Sequence, residues 1–529
     1  MISLQIQSVA TFAVLCFLTY QIYLTIYRLF FHPLRRFPGP KLAAATRLVE
    51  HYYQIVQGGQ FPYAYRKWHD QYGPIIRINP DELHIRDSAW YETLYSSTRP
   101  VRKADYYAQR FDAEMTTAGA IDPATCKERR AALNPFFSKQ KVVQYEAKIQ
   151  EIADLVVTRV EEEYVKPEKE LALHKMWECF AADNVVGFAF DKHGHSFVTA
   201  EDFRSPINEA SYASTEAIHV LTAFPFLMSI MNLLSDKIVT RLSPAMAPLL
   251  AFWRDQEAQI ARLLTRHEQG EKTRDTTLFA TLLEHQGPPS GQKAPRAFVQ
   301  RLEQEAKMVV SAGSETVARS LSVASFHILN DPKILSELHK ELCQSIADPA
   351  ASFPSWSSLS QLPYLSACVQ EALRLTYGLS ERRARAYDGE PLRYGDWIIP
   401  KGTLVSMDHY DVSHDETIFP NSHAFRPERW LEQQGAGQVH PRNALAPDGK
   451  SLSRYMVTFG GAGMRNCVGF QFATCEMFIG LAKFFRSEAI VKKIKLNPET
   501  TREAVDMARC CFVPRPRKGT SGVQVRFSD

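Results

Sequence analysis

From Phe459 to Glu476 the chain reads F-G-G-A-G-M-R-N-C-V-G-F-Q-F-A-T-C-E, and no other stretch restricts its fold so tightly. Glycines ahead of Cys467 let the backbone fold close, so that N–H groups can point at sulfur without side chains intervening. A helix-like run from Val468 to Phe485 follows directly. A cysteine at a helix N-terminus sits among unsatisfied N–H groups at the positive end of the helix dipole, which favours S⁻ over SH. The pattern predicts a thiolate ligand site built from main chain.

Zinc takes about four ligands, usually paired Cys or His a few residues apart, and Cys475 lies too far along the helix to face the same ion. One thiolate fits one axial ligand. Haem iron needs only that from the protein, because the porphyrin supplies four equatorial nitrogens. Arg465, two residues before the cysteine, is placed to pair with a haem propionate.

Gly463, Arg465, Cys467, Gly469, Ala473 and Glu476 together resemble the haem-binding loop of the cytochromes P-450, F-x-x-G-x-R-x-C-x-G with A-x-x-E behind it. One position departs. The family's Phe stands seven residues before the cysteine, whereas Phe459 stands eight before it, with Gly460 in the expected place.

More distant motifs extend the resemblance. Leu302 to Leu329 runs without proline and carries A-G-S-E-T, Ala312 to Thr316, in its middle. A mid-helix glycine costs about 1 kcal/mol relative to alanine, so Gly313 predicts the close approach of a flat ligand. In the family the matching segment lies over the haem, which implies that Glu315 and Thr316 relay protons to dioxygen. A threonine in a helix otherwise tends to back-bond to its own turn. Glu371 and Arg374 lie three apart on one helical face, and F-R-P-E-R-W supplies Arg429. These three resemble the family's structural triad, with Trp430 for the usual Phe. R-R-A-A-L-N-P-F-F-S aligns Arg130 with an arginine that holds a propionate, although Cys126 replaces the family's Trp; of Arg382, Arg383 and Arg385, spacing favours Arg385 for the other propionate.

The N-terminus predicts a membrane. Val9 to Tyr27 is mostly apolar and about as long as a span of roughly twenty residues. Basic residues follow it (Arg28, Arg35, Arg36), which keeps the body on the cytosolic side. F-H-P-L-R-R-F-P-G-P-K then resembles the proline hinge of microsomal, and in particular fungal, members. Residues 219–234 form an apolar run broken by Pro225, either a core helix or a membrane-dipping lid. Gly73 to Ile85 and Leu392 to Val405 carry the alternation of hairpins; Thr265 to Arg296 is polar, with Gly and Pro, as in a connecting segment.

Nine cysteines without repeated spacing do not make a disulfide framework. A net charge of +4, spread along 529 residues, gives no case for nucleic acid. The resemblance implies a mainly α-helical haem-thiolate fold with small β-sheets, an anchor over residues 1–30 and a catalytic domain over 31–529. It implies haem b as cofactor, O₂ as co-substrate and electrons from NADPH through a separate reductase. The location implied is the endoplasmic reticulum membrane, crossed once, with the catalytic body in the cytosol. The substrate expected is a lipophilic secondary metabolite, a terpenoid first and a polyketide or aromatic compound second, because the N-terminal text resembles the trichodiene-oxygenase-like group. A haem-thiolate isomerase or dehydratase would keep the cysteine loop, but such members tend to lack the acid–alcohol pair. A non-catalytic haem protein would have no use for Glu315 and Thr316.

Overall fold

A computed structural model describes residues 2–95, 98–190, 196–271, 277–348, 352–433, 437–438, 440–461 and 463–529. Helices form most of it. The first runs Ile2–Ile26, and Ala10–Phe31 is the one helical stretch among the described residues long and apolar enough to cross a membrane. Its C-terminal end is tied to the body by two main-chain contacts: Arg28 Nη1 donates to Ala45 O (2.9 Å), and Arg77 Nη1 donates to Arg28 O (2.9 Å). Between Pro38 and Pro40 a glycine is required. Gly39 has φ +142°, and a Cβ there would lie 2.6 Å from Arg77 O, so this turn can press directly on the first strand.

That strand, Ile75–Asn79, pairs antiparallel with Glu82–Ile85, as the alternation predicts. Glu82–Ile85 then runs parallel to Leu404–Ser406, and Arg385–Ala386 and Arg102–Lys103 complete a five-stranded sheet. The expected hairpin over Leu392 to Val405 is therefore divided. Leu392–Tyr394 pairs with Trp397–Ile399, while Leu404–Ser406 leaves for the larger sheet. Thr265 to Arg296 is not all connection either, since Leu278–Gln286 is helical and buries Leu278, Phe279 and Leu283.

The long helix spans Arg296–Asn330, 35 residues, and starts six residues earlier than its apolar pattern suggests. It is polar for a central helix, yet its hydroxyls are satisfied within it: Ser314, Thr316, Ser320 and Ser322 each donate to the carbonyl four residues back, which hides them from the core. Ser325 Oγ instead accepts the Trp177 indole N–H at 3.0 Å. Trp177 belongs to Leu173–Ala189, the helix most closely packed against the long one.

Gly313 lies in that contact. A Cβ on Gly313 would stand 2.5 Å from Val185 Cγ2, so the close approach of a neighbouring helix is by itself a reason for the glycine. Gly313→Ala should therefore lower stability by about 1–3 kcal/mol through overpacking. Thermal unfolding of Gly313→Ala, alone and with Val185→Ala, checks this: the second substitution should restore most of the loss.

Candidate active site

The helix behind Cys467 is Phe470–Arg486, with Gly469 at its N-cap; it begins two residues later than Val468. The cysteine loop is closed by its own backbone, Cys467 N–H donating to Phe459 O at 2.7 Å and Asn466 N–H to Gly463 O at 3.0 Å. Gly460 has φ +98° and Gly461 φ +70°, a region that disfavours side chains. A Cβ on Gly460 would also stand 2.9 Å from Arg383 Nη1 and 3.2 Å from Asn466 Cα. The departure from the family pattern is thus explained: glycine is needed where the pattern has Phe, and the Phe459 ring, one residue earlier, lies 6.2 Å from that of Phe470.

Burial pushes the Cys467 thiol up, and the Gly469 N–H and the Arg130 guanidinium offset this only in part. The expectation of a thiolate made by the loop alone is corrected, because one N–H and one cation do not outweigh desolvation. A bound metal would deprotonate the thiol outright. The Cys467 side chain is exposed, so its sulfur is open to a ligand. Ser311 and Ala312, midway along the long helix, are exposed in the same way, and that helix packs on Phe470–Arg486.

Around this region stand cations without carboxylates. Among the described residues no ion pair holds Lys103, Arg130, Arg383, Arg385 or Arg465. Burial, then Arg385 and Arg465, push the Lys103 ammonium well down; burial and Arg385 do the same to Arg383; burial lowers Arg465, with Arg385 adding to it. Arg382 is different. It is held by Glu82 Oε1 (2.8 Å) and Glu50 Oε1 (2.5 Å), so it has no free charge to offer. Arg465 donates to the carbonyls of Ala120 and Ile121 (both 2.6 Å), and Arg130 donates to Asn466 O (2.6 Å) and Oδ1. Arg385 donates to Ala384 O at 2.9 Å. Buried Arg383 and Arg385, with half-buried Lys103, Arg130 and Arg465, all without an ion-pair partner among the described residues, fit a dianionic ligand such as the propionates of haem.

Glu315 and Thr316 face different partners. Thr316 Oγ1 donates to Ala312 O at 2.8 Å. Glu315 pairs with Arg515, on the hairpin Arg509–Cys511/Val513–Arg515, and burial raises its carboxyl although Arg515 opposes this. Arg515 is itself pressed on the Tyr212 ring at 3.5 Å. Lys103 and Arg515 were not foreseen: neither lies in a motif, and only the folded hairpins bring them here.

The triad is assembled. Glu371 receives Arg374 Nε (2.9 Å) and Nη2 (2.7 Å), Arg429 Nε (2.9 Å), Trp430 Nε1 (2.9 Å) and Arg426 N–H (2.9 Å). Trp430 thus adds a donor that Phe could not. Burial would raise the Glu371 carboxyl, but Arg374 and Arg429 hold it below its ordinary 4.5. A depressed carboxyl contributes stability above the unfolded-state value and loses it only as pH falls through the folded one. Glu371→Ala should cost about 3–5 kcal/mol, since two guanidiniums would then face each other. Thermal unfolding checks the cost. Acid titration of Glu371→Gln should lack the loss below about 4.5 that the wild type shows.

A family model described as Cytochrome P-450 matches residues 40–487. The chain is 39% identical over 521 residues to a cytochrome P-450 monooxygenase of Eupenicillium brefeldianum, covering 97% of each chain. It is 35% identical over 530 residues to one of Sordaria araneosa, covering 98% of each, and 35% over 525 residues to one of Cochliobolus heterostrophus, covering 96% of this chain and 95% of that one. With the helical fold, the cysteine loop and the glutamate–arginine triad in place, the chain belongs to the cytochrome P-450 family and is a haem monooxygenase.

Proposed function

We propose that Cys467 would ligate the iron of haem b and that the enzyme inserts one oxygen atom from O₂ into a C–H or C=C bond of a lipophilic metabolite. The observation that carries this is an exposed thiol together with buried and half-buried cations that, among the described residues, have no carboxylate partners. When bound, the haem supplies the iron at which dioxygen is activated, with the thiolate pushing electron density toward O–O cleavage. Arg465, Arg130 and Arg385 hold the propionates, with Arg383 and Lys103 beside them, and Phe459 and Gly463 shape the loop. Thr316 swings its hydroxyl from Ala312 O to deliver a proton at Oγ1. Glu315, raised by burial, is the acid behind it.

The apolar helix over residues 1–30 anchors the catalytic body, residues 31–529, to the cytosolic face of the endoplasmic reticulum, where a separate NADPH-dependent reductase supplies electrons. Surface apolarity supports the anchor. Leu48 and Val56 are 70% and 73% exposed, and so are Phe226 (59%) and Leu233 (85%) on the helix Phe226–Leu233. His51 and Phe224 join the two segments, their rings 6.2 Å apart. Such an apron beside the anchor suits a lipid surface, which favours the lid reading of residues 219–234.

A neutral, lipophilic substrate suits the neighbouring charges. Arg110 is consumed by Glu381 (2.8 and 2.6 Å) beneath the Phe111 and Phe512 rings, and Arg515 by Glu315. Neither offers a free charge to an ionised substrate. The terpenoid choice rests on the resemblance of the N-terminal text to the trichodiene-oxygenase-like group.

The reduced, carbon monoxide-bound enzyme should show the red-shifted Soret band of thiolate ligation, and Cys467→Ala should lose it; an unchanged band in the variant overturns the ligand assignment. In Thr316→Ala, coupled product formation with reductase and NADPH should fall on the order of 10²-fold, while NADPH oxidation continues. Unaltered coupling would remove Thr316 from proton delivery. Product analysis with terpenoid and polyketide panels decides the substrate class, and oxidation confined to the latter would replace the terpenoid.

A further inference from the structure

A second cavity, of about 190 Å³, lies between the C-terminal half of the long helix, Tyr377, Tyr410, His414 and the segment Arg502–Met507. It shares no lining residue with the cysteine loop, with Ala312–Thr316 or with the unpaired cations. Its walls change character with depth. At the inner end Val323, Leu375 and Val505 are buried. In the middle stand aromatic rings: Tyr377 and Tyr410 are 5.1 Å apart, and His414 and His423 are stacked at 4.1 Å. At the mouth Arg502 pairs with Asp506 at 3.1 Å, each about half exposed, so the entrance carries no net charge.

One polar group at the inner end has no partner. His327 is 7% exposed, lines the cavity and stacks on Phe425 at 4.9 Å, but neither ring nitrogen makes a hydrogen bond among the described residues. Its nitrogens are open to the cavity and not sealed in the core, so whatever fills the cavity meets them. Burial, then Arg502 and Arg374, push the imidazole down to about 3 against the pull of Glu371, so at neutral pH it is uncharged and offers one N–H donor and one nitrogen acceptor. Its counterpart in the wall, His414, is already satisfied, since Tyr377 O–H donates to its Nε2 at 2.8 Å.

We propose that this cavity is a binding site for a small, neutral, single-ring phenol, separate from the oxygenation site, with the ligand hydroxyl meeting His327 and its ring lying against the His414–His423 and Tyr377–Tyr410 walls. Size, charge and polarity select this class. A cavity of about 150 Å³ holds one benzene ring, so the space here admits a ring with a small substituent and no fused system. An ionised ligand would meet apolar walls and a neutral imidazole. A hydroxyl both donates and accepts, so it can use either face of the His327 tautomer. Val323 lies seven residues beyond Thr316 on the same helix, which puts the occupant against the element that carries the acid–alcohol pair.

The test is a ¹⁹F NMR titration of the haem-loaded, full-length enzyme in nanodiscs with 4-fluorophenol and with fluorobenzene. A bulky azole bound to the iron closes the oxygenation chamber throughout. The expected result is saturable binding of 4-fluorophenol with the azole in place, about fivefold tighter than fluorobenzene, the margin of one hydrogen bond. His327→Phe should abolish that margin while leaving the carbon monoxide spectrum unchanged. His423→Ala, at the exposed mouth, should weaken both probes by roughly twofold to tenfold through the lost ring contact. The site is overturned if the azole displaces the phenol, if the two probes bind equally, if the margin survives His327→Phe, or if His423→Ala changes neither affinity. Should His327→Phe fail to bind haem, the probe comparison in the wild type and the His423→Ala result still decide the question.

Discussion

Five hydrogen bonds converge on one buried carboxylate, that of Glu371, and the rest of the site is referenced to them. They come from the helix Pro363–Thr376, in which Glu371 and Arg374 lie one turn apart, and from Arg426, Arg429 and Trp430 some fifty residues later. Each fork also reaches main chain: Arg374 donates to Ser413 O (2.7 Å) and Arg429 to Pro420 O (2.9 Å). The same helix holds the approach to the cysteine loop, because Leu373 O accepts from Thr458 Oγ1 at 2.7 Å, one residue before Phe459. Left-handed Gly378 lies so near that a Cβ would be 2.6 Å from Thr458 O. A charged knot thus sets where the thiol sits. It tolerates burial only because each lone pair of the carboxylate and much of each fork is engaged.

Buried cations of the framework are tied either to carboxylates or, like Arg77 and Arg486, to main-chain carbonyls. Arg382 meets Glu50 and Glu82, Arg110 meets Glu381, and Arg66 meets Asp408 and Asp411. These pairs join segments hundreds of residues apart and commit each guanidinium to at least one carboxylate. His84 with Asp408 and Asp411 has the look of a metal triad, but the Arg66 guanidinium already occupies the place a cation would take. By contrast Lys103, Arg383 and Arg465 are each pushed down by burial and by the neighbouring Arg385, and among the described residues no ion pair holds any of the four. Desolvated like charges do not gather unless something of opposite sign joins them.

Much of the fold was legible because long-range order was written in local pattern. The N-terminal apolar helix, the hairpin at Ile75 and the long helix follow from apolar periodicity and from the positions of Pro and Gly. The motifs also located Cys467, Glu371, Arg374 and Arg429. What the pattern could not supply was the wider surroundings of a residue. Gly313 is pressed on Val185; Arg382, alike in spacing to Arg383 and Arg385, is already paired; the thiol of Cys467 is raised by burial, where its place near a helix N-terminus suggested the reverse.

The sequence by itself determined the residue types and their spacing: a lone cysteine in a glycine loop, a glutamate one helical turn from an arginine, an acid beside an alcohol. These are local facts, set by periods of three or four residues. Only the tertiary structure decided charge and direction. Whether an arginine is a tie or a receptor depends on whether a carboxylate from a distant strand reaches it, as Glu82 reaches Arg382 and, among the described residues, none reaches Arg383. Whether a thiol is lowered depends on how much water the surrounding helices remove. Desolvation and pairing are sums over neighbours distant in sequence, and no local pattern records them.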